Sequence, residues 1–434
     1  MRHFQTMPTL IVSACAFGLL VACGGSDDDT TAGAPVAPVA ITPGAPDVIA
    51  QWNLIATTTI NLPATTTGTP EEQRPNYAVD LATVQVAVYD AVVGIAGGYR
   101  PYAVTPTLPT DGASVDAAAV TAAYRVLLGL FPNRSSAYQP SYDAYLATLA
   151  AGTAKDRGIA VGAEVAAATL ALRAGDGRSV VLPTYVPGTA PGQFRGNNPV
   201  NRNLQYIKPF AVTSNAQFRA PGPPALTSAA YATDLKETAA LGGTASTTRT
   251  ADQAETARFN TEPPNQYWPR NLRRFALASG TLAEHARLMA MVWVAHADAS
   301  DTCFESKYQF NFWRPLSAIP LADTDGNDAT APDTTWTPFV PTPPHPEYPA
   351  AHGCAAGAMA EVLRRYYGTG EVTFDFDSTV TGTTRHFSST DAMVVELQTA
   401  RVAGGMHFRT STVDGAALGK SVSAWVAQNH FQAR

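Results

Sequence analysis

Apolar residues recur at helical spacing in one segment of this chain after another, while strand-like alternation is almost absent. That contrast limits the fold more than any other feature. A helix buries a stripe and must pack it on other helices when no sheet is available. The segments are 48–60 (VIAQWNLIATTTI), 77–95, 114–131, 135–150 and 154–175, then 228–242, 246–260 and 281–313. Segment 281–313 reads as two helices or one bent one. Three more follow at 355–368, 389–405 and 414–431, and "EVTFDF" (371–376) is the best strand signal. Ser114 is a plausible N-cap, and Pro132 and Gly175 are stop signals. Residues 176–226 are rich in Gly, Pro and Asn and lack a period. So long an irregular excursion is expected to be functional or to cover a site. The expectation is an all-α, multi-helix bundle with long Pro/Gly-rich loops. Its N-terminal helices occupy 47–175, its loop 176–226 and its C-terminal helices 227–434, all in a single domain over 47–434.

Only 15% of the residues are charged and the net charge is −6. The balance argues against nucleic acid as a partner, since a nucleic-acid surface is basic. The first 22 residues begin with Arg2 and His3 and contain the apolar run LIVSACAFGLLVA (10–22), too short for a confident membrane span. "LVAC" followed by a polar Gly/Asp/Thr/Pro stretch resembles a bacterial lipoprotein signal. On that likeness Cys23 is lipidated and is the only membrane attachment, and 23–46 is a flexible tether. An ordinary secretory signal with an incidental cysteine is the alternative. Both readings export the protein and make 1–22 a signal peptide; the first puts it on the cell envelope. Cys303 and Cys354 then remain as an even pair in an oxidising compartment, where a disulfide between them is expected.

Three short motifs carry groups capable of chemistry. In KYQFNFWRP, Lys307 and Arg314 lie seven residues apart, about 20° from each other on a continuous helix. In ARVAGGMHFR, Arg401 and His407 are separated by Gly404 and Gly405, which permit a break that turns both toward one centre. In EYPAAHGC, Pro349 suits a helix entry and puts His352 in the first turn, where free N–H groups favour anions. Each motif alone has a bland reading: snorkelling cations, a helix end with an incidental histidine, a structural histidine. Together, three cations and two proton-carrying imidazoles suit a tetrahedral oxyanion such as phosphate or vanadate.

The order Lys-x6-Arg-Pro, Pro-x-x-His and Arg-x5-His resembles the vanadium-dependent haloperoxidases, which share their site with type-2 phosphatidic acid phosphatases and class A acid phosphatases. Stretches such as "VAVYDAVVGI" and "RTADQAETARF" extend the likeness over almost the whole mature chain. The resemblance implies an all-α fold of that type and vanadate as cofactor, with phosphate able to occupy the same site. It implies that His407 bonds vanadium, or accepts a phosphoryl group in a phosphatase. His352 would be the acid/base. Lys307, Arg314, Arg401 and the backbone N–H of Ala351 would hold the oxyanion, Lys307 also polarising bound peroxide. The partners would be hydrogen peroxide, a halide and a small organic substrate, or else a phosphate ester. A non-catalytic oxyanion binder is a third reading. Two positions depart from the family pattern: Ala350 stands where serine is usual in Pro-Ser-Gly-His, and Ala400 where serine is common. A 303–354 disulfide would fasten the Lys307 helix to the His352 helix. Asp298 and Asp301 are read as structural support, and His296 and His386 as structural or supporting residues.

Overall fold

The computed structural model describes residues 39–41, 46–277 and 280–434. The signal at 1–22, Cys23 and most of the tether lie outside the described residues. Among the described residues there are twelve helices of eight or more residues. In chain order α1 is Val48–Ile60, α2 Tyr77–Ala96, α3 Val115–Leu130, α4 Gln139–Thr148 and α5 Thr153–Arg173. Then α6 is Ala229–Gly242, α7 Ala251–Phe259, α8 Pro264–Leu272 and α9 Leu282–Phe310. Finally α10 is Ala351–Tyr367, α11 Thr390–Ala403 and α12 Arg409–Asn429. The chain is therefore all-α, as its periodicity implies.

Local signals account for most boundaries. Ser114 caps α3 by accepting from Ala117 N, and Thr281 opens α9 with a capping box to Glu284. Segment 281–313 is one helix that stops at Phe310, because Asn311 takes the left-handed conformation (φ 47°). Residues 174–228 hold only one short 3-10 turn, Leu204–Tyr206, so the long excursion is real. The proline-bounded helix α8 was not anticipated.

A three-stranded sheet comprises β1 (Val39–Ala40), β2 (Val372–Ser378) and β3 (Thr383–Phe387). Strand β2 covers the expected strand signal from Val372 onward and pairs antiparallel with β3. The other edge of β2 takes β1 in parallel, with Val39 N donating to Glu371 O at 2.8 Å. This corrects the tether boundary: the open edge of β2 offers backbone partners to residues whose composition alone reads as linker.

Helix α2 is buried from Ala78 to Val93. It packs on α1, α3, α5 and α9, and α9 packs in turn on α10 and α12. One long helix thus joins the N-terminal group to the C-terminal group. Helices α10 and α12 meet backbone to backbone. A Cβ on Gly357 would lie 2.1 Å from Ala416 O, and one on Gly419 2.0 Å from Cys354 O. Only glycine allows that approach, which sets the first turn of α10 against α12 and the loop before it.

Candidate active site

Lys307 comes from the last turn of α9, Arg314 from the loop beyond it, Arg401 from α11 and His407 from the α11–α12 connection. His352 is the second residue of α10. Residues 345–349 run between these elements. The structure brings all five side chains together around this segment and a cavity beside it.

The route by which Arg314 arrives differs from the expected one. Helix α9 ends four residues early, so Lys307 and Arg314 do not share a helix face. The left-handed turn at Asn311 redirects the chain, and Arg314 becomes the N-terminal flank of the single helical turn Pro315–Ala318. For Arg401 and His407 the expected break is present. Helix α11 ends at Gly404, Gly405 has φ 75°, and Phe408 precedes α12.

All three cations are buried, none more than 2% exposed. Lys307 Nζ donates to Pro346 O at 2.9 Å and Glu347 O at 3.0 Å. Arg314 donates to His345 O (2.8 Å), Met406 O (2.8 Å), His345 Nδ1 (3.0 Å) and His407 Nε2 (2.9 Å). Arg401 donates to Asn260 O at 3.1 Å and has the Met406 sulfur, a weak acceptor, at 2.9 Å. Its Nε has no partner. Burial pushes Lys307 down to about 8, Arg314 to about 10 and Arg401 to about 9.

One residue that the sequence reading passed over organises this cluster. Glu347, fully buried, accepts from His407 Nδ1 at 2.9 Å and from Phe408 N at 3.0 Å. A donor at Nδ1 leaves Nε2 with its lone pair, which here accepts from Arg314. Burial lifts the Glu347 carboxyl to about 7 despite Arg314 and Lys307 beside it. Its only sequence signal is a lone acid in the apolar stretch PPHPEYPA. His345, also passed over, is held well below its usual range by burial, then by Lys307 and Arg314. His352 and His407 are likewise held down, first by burial and then by the arginines and Lys307. All three imidazoles are neutral at pH 7.

His352 and Arg401 are among the residues lining a cavity of about 500 Å³. Residues 200, 201 and 204 of the long loop form part of its wall. Part of the long loop thus lines the cavity. Ala350 flanks α10 without a side-chain cap, and its N–H is taken by Ser411 O. The N–H of Ala351 is in the first turn of α10, which has no such side chain to satisfy it.

The remaining expectations resolve as follows. Cys303 and Cys354 are both free thiols, which corrects the expected disulfide. They lie within hydrogen-bond reach of each other, and Cys303 Sγ also faces Pro349 O at 3.8 Å. Asp298 accepts from the N–H groups of Phe210, Ala211 and Val212 and so anchors the long loop to α9. Asp301 is buried with no partner for either oxygen, and burial next to Asp298 raises it well above its usual value. Asp298 thereby supports structure, whereas neither carboxyl oxygen of Asp301 makes a bond that would do so. His386 is exposed and paired with Asp375 on the hairpin. His296 lines the cavity and meets Tyr77 OH at 2.7 Å.

The donor set fits an oxyanion. Three buried cations face one buried carboxyl, Arg401 Nε lacks a partner, and the His407 Nε2 lone pair is oriented by Glu347. Among the described residues no group of three His, Cys, Asp or Glu could hold a metal cation. A tetrahedral oxyanion such as vanadate or phosphate matches this set in charge and donor geometry.

Residues 287–433 match the family model described as the VCPO second helical-bundle domain. The vanadium chloroperoxidase of Curvularia inaequalis is 40% identical over 95 residues, 20% of this chain; the match spans 15% of the length of that curated relative. A bacterial vanadium-dependent iodoperoxidase structure superposes with a TM-score of 0.70 at 22% identity, covering 89% of this chain and 96% of that one. An apo-type bacterial vanadium-dependent chloroperoxidase gives 0.66 at 15% identity, covering 86% and 96%. At such identities the structural likeness establishes the fold.

Proposed function

We propose that this chain, whose residues 287–433 match the model of the VCPO second helical-bundle domain, is a vanadate-dependent haloperoxidase. The reaction consumes hydrogen peroxide, halide and a proton, and yields hypohalous acid and water. One observation carries the reading: three buried cations converge with only one carboxyl among them, and Arg401 Nε is left without a partner. An excess of buried positive charge is costly unless an anion offsets it.

When bound, vanadate supplies the Lewis acidity that activates peroxide toward halide. Everything else falls to this chain. His407 would offer the Nε2 lone pair, which Arg314 occupies without a ligand, and Glu347 holds its ring in the Nδ1–H tautomer. Arg314 and Arg401 place fixed N–H donors around the anion. Lys307 spends two of its three ammonium protons on the carbonyls of residues 346 and 347, so the third is left for the ligand. His352, neutral and partly accessible from the cavity, takes a proton from peroxide and returns it to the departing oxygen. Ala350 contributes no hydroxyl, which removes about 1.5–3 kcal/mol of anion affinity relative to serine. Export, with Cys23 as the lipid anchor, would keep this oxidising chemistry outside the cytoplasm.

The test is iodide and bromide oxidation by purified protein with peroxide, with and without added vanadate. Activity that appears only with vanadate is the expected result. Hydrolysis of p-nitrophenyl phosphate, inhibited by vanadate and without halide oxidation, would instead make His407 a phosphoryl acceptor. Tight phosphate binding with neither activity would leave an oxyanion-binding protein.

A further inference from the structure

Hypohalous acid oxidises thioethers readily, and one thioether sits beside the oxyanion donors. Met406 Sδ lies 2.9 Å from Arg401 Nη2, and Met406 borders the same cavity as Arg401 and His352. Its backbone is fixed at both ends. The N–H donates to Arg401 O at 3.2 Å, and the carbonyl accepts from Arg314 Nη1 at 2.8 Å. Its methyl group packs over Gly404, where an added Cβ would lie 2.9 Å from Met406 Cε. The sulfur is therefore held against the guanidinium and does not swing freely.

Met289, Met291, Met359 and Met393 are as buried as Met406, all at 2% exposure or less. None of those four lines the cavity. Burial shields all of them from an oxidant in bulk water, whereas an oxidant released in the cavity meets Met406 first. The consequence for Arg401 is specific. A thioether sulfur is a weak acceptor, so Nη2 remains available to an anion. Oxidation to the sulfoxide makes the side chain polar and gives it an oxygen that accepts strongly. That oxygen, formed at a sulfur already beside Nη2, would take a donor that the oxyanion needs.

We propose that Met406 is oxidised to its sulfoxide by the enzyme's own hypohalous acid, and that the sulfoxide draws Arg401 away from the oxyanion and so limits vanadate binding. The proposal rests on the haloperoxidase reading and adds a self-limiting control to it. The balance is R–S–CH₃ + HOX → R–S(=O)–CH₃ + X⁻ + H⁺. Sulfur gives two electrons to the halogen, forming an S–X bond as the HO–X bond breaks. Water then adds its oxygen to sulfur, the halide leaves, and the protons pass to solvent. Methionine sulfoxide reductases reverse such a change, which makes it a switch.

The test turns over the full-chain, vanadate-loaded protein with peroxide and bromide and maps its peptides by mass spectrometry. The Met406 peptide is expected to gain one oxygen before those of the other four buried methionines. No such gain is expected when vanadate or bromide is left out. Vanadate is then removed and its rebinding measured by calorimetry. Affinity about ten-fold weaker than that of untreated protein is expected, restored by methionine sulfoxide reductase. Met406→Leu, checked for folding by circular dichroism, cannot form the sulfoxide. Its rate, scaled to its own initial rate, is expected to decline less during prolonged turnover. The proposal is overturned if bromide is oxidised while Met406 stays unmodified or reacts no sooner than the other four. It is equally overturned if peroxide alone modifies Met406 as fast, or if the sulfoxide form binds vanadate as tightly as before. Failure of the haloperoxidase reading looks different: no bromide is oxidised at all, and this proposal falls with it.

Discussion

Buried Arg178 in the N-terminal group and the buried cations of the C-terminal group have their charges met in opposite ways. In the N-terminal group Arg178, 2% exposed, is ringed by carboxylates: Asp80 at 2.8 Å, Asp176 at 2.9 Å and Glu71 at 3.4 Å. Those carboxylates overcome desolvation and push its pKa up. In the C-terminal group Lys307, Arg314 and Arg401 are equally buried, but their donors rest on carbonyls, imidazole and sulfur, and their pKa values are pushed down. Depth of burial therefore does not separate a structural cation from a functional one. Between Arg178 and the C-terminal three, the supply of counter-charge does, although Arg134, also buried, rests on carbonyls alone. Arg178 has its counter-charge within the chain, although its Nη1 lacks a hydrogen-bond partner, and ties the start of the long loop to α2; the C-terminal cations lack such carboxylates.

The largest expected effect tests the first half of that contrast. Arg178→Met would strand Asp80 and Asp176 without their cation and cost about 3–5 kcal/mol of stability. Chemical denaturation would detect this, while vanadate affinity of the folded fraction would be unchanged. A loss below about 1 kcal/mol would break the comparison.

Arg401→Met tests the second half. Removing a cation that lacks a counter-ion should leave the ligand-free protein as stable as wild type or more so. Vanadate or phosphate affinity, measured by calorimetry, should fall by about 1.5–3 kcal/mol, roughly 10–100-fold. Destabilisation comparable to that of Arg178→Met would contradict the distinction.

Acid should act mainly on the C-terminal cluster. His345, His352 and His407 have folded pKa values depressed below the unfolded value near 6.5, so the unfolded chain binds the extra protons. Their contribution is lost as pH falls below about 6.5. Glu347, raised to about 7, works the other way: acidification from 7 toward 4.5 favours its folded form. Three imidazoles outweigh one carboxyl, so net stability should decline by about 1 kcal/mol or more per pH unit over that range. Urea melts at pH 6.5 and 5.5 would check the sign, and His345→Phe should flatten the slope.

The smallest effect concerns Ala350. Ala350→Ser would add an N-cap worth about 0.5–2 kcal/mol to α10. If the hydroxyl also reaches the anion, vanadate affinity should rise by about ten-fold. A gain in melting temperature without a gain in affinity would confine the serine to capping.

Much of this could be read along the chain, because the signals are local. Ser114 and Thr281 announce helix starts, Gly404 and Gly405 announce the break between α11 and α12, and Pro349 announces α10. The five reactive side chains could be picked out because cations and histidines stand out in a chain this poor in charge. Where the reading failed, the deciding contact was distant or conformationally subtle. Asn311 ended α9 four residues before Arg314, and nothing in its neighbours demanded a left-handed turn. Val39–Ala40 became a strand because an open edge 333 residues away accepted it. Cys303 and Cys354 came close yet remained thiols.

The sequence by itself determined the helical class and the identities of Lys307, Arg314, His352, Arg401 and His407, since periodicity, caps and residue chemistry act within a few positions. Tertiary structure alone decided that Glu347 meets His407, 60 residues on, and sets its tautomer. It also decided that a cavity walled by residues from 60 to 406 opens onto His352. The physical reason is that periodicity specifies which face of an element is buried, whereas the partner it is buried against depends on how every other element packs.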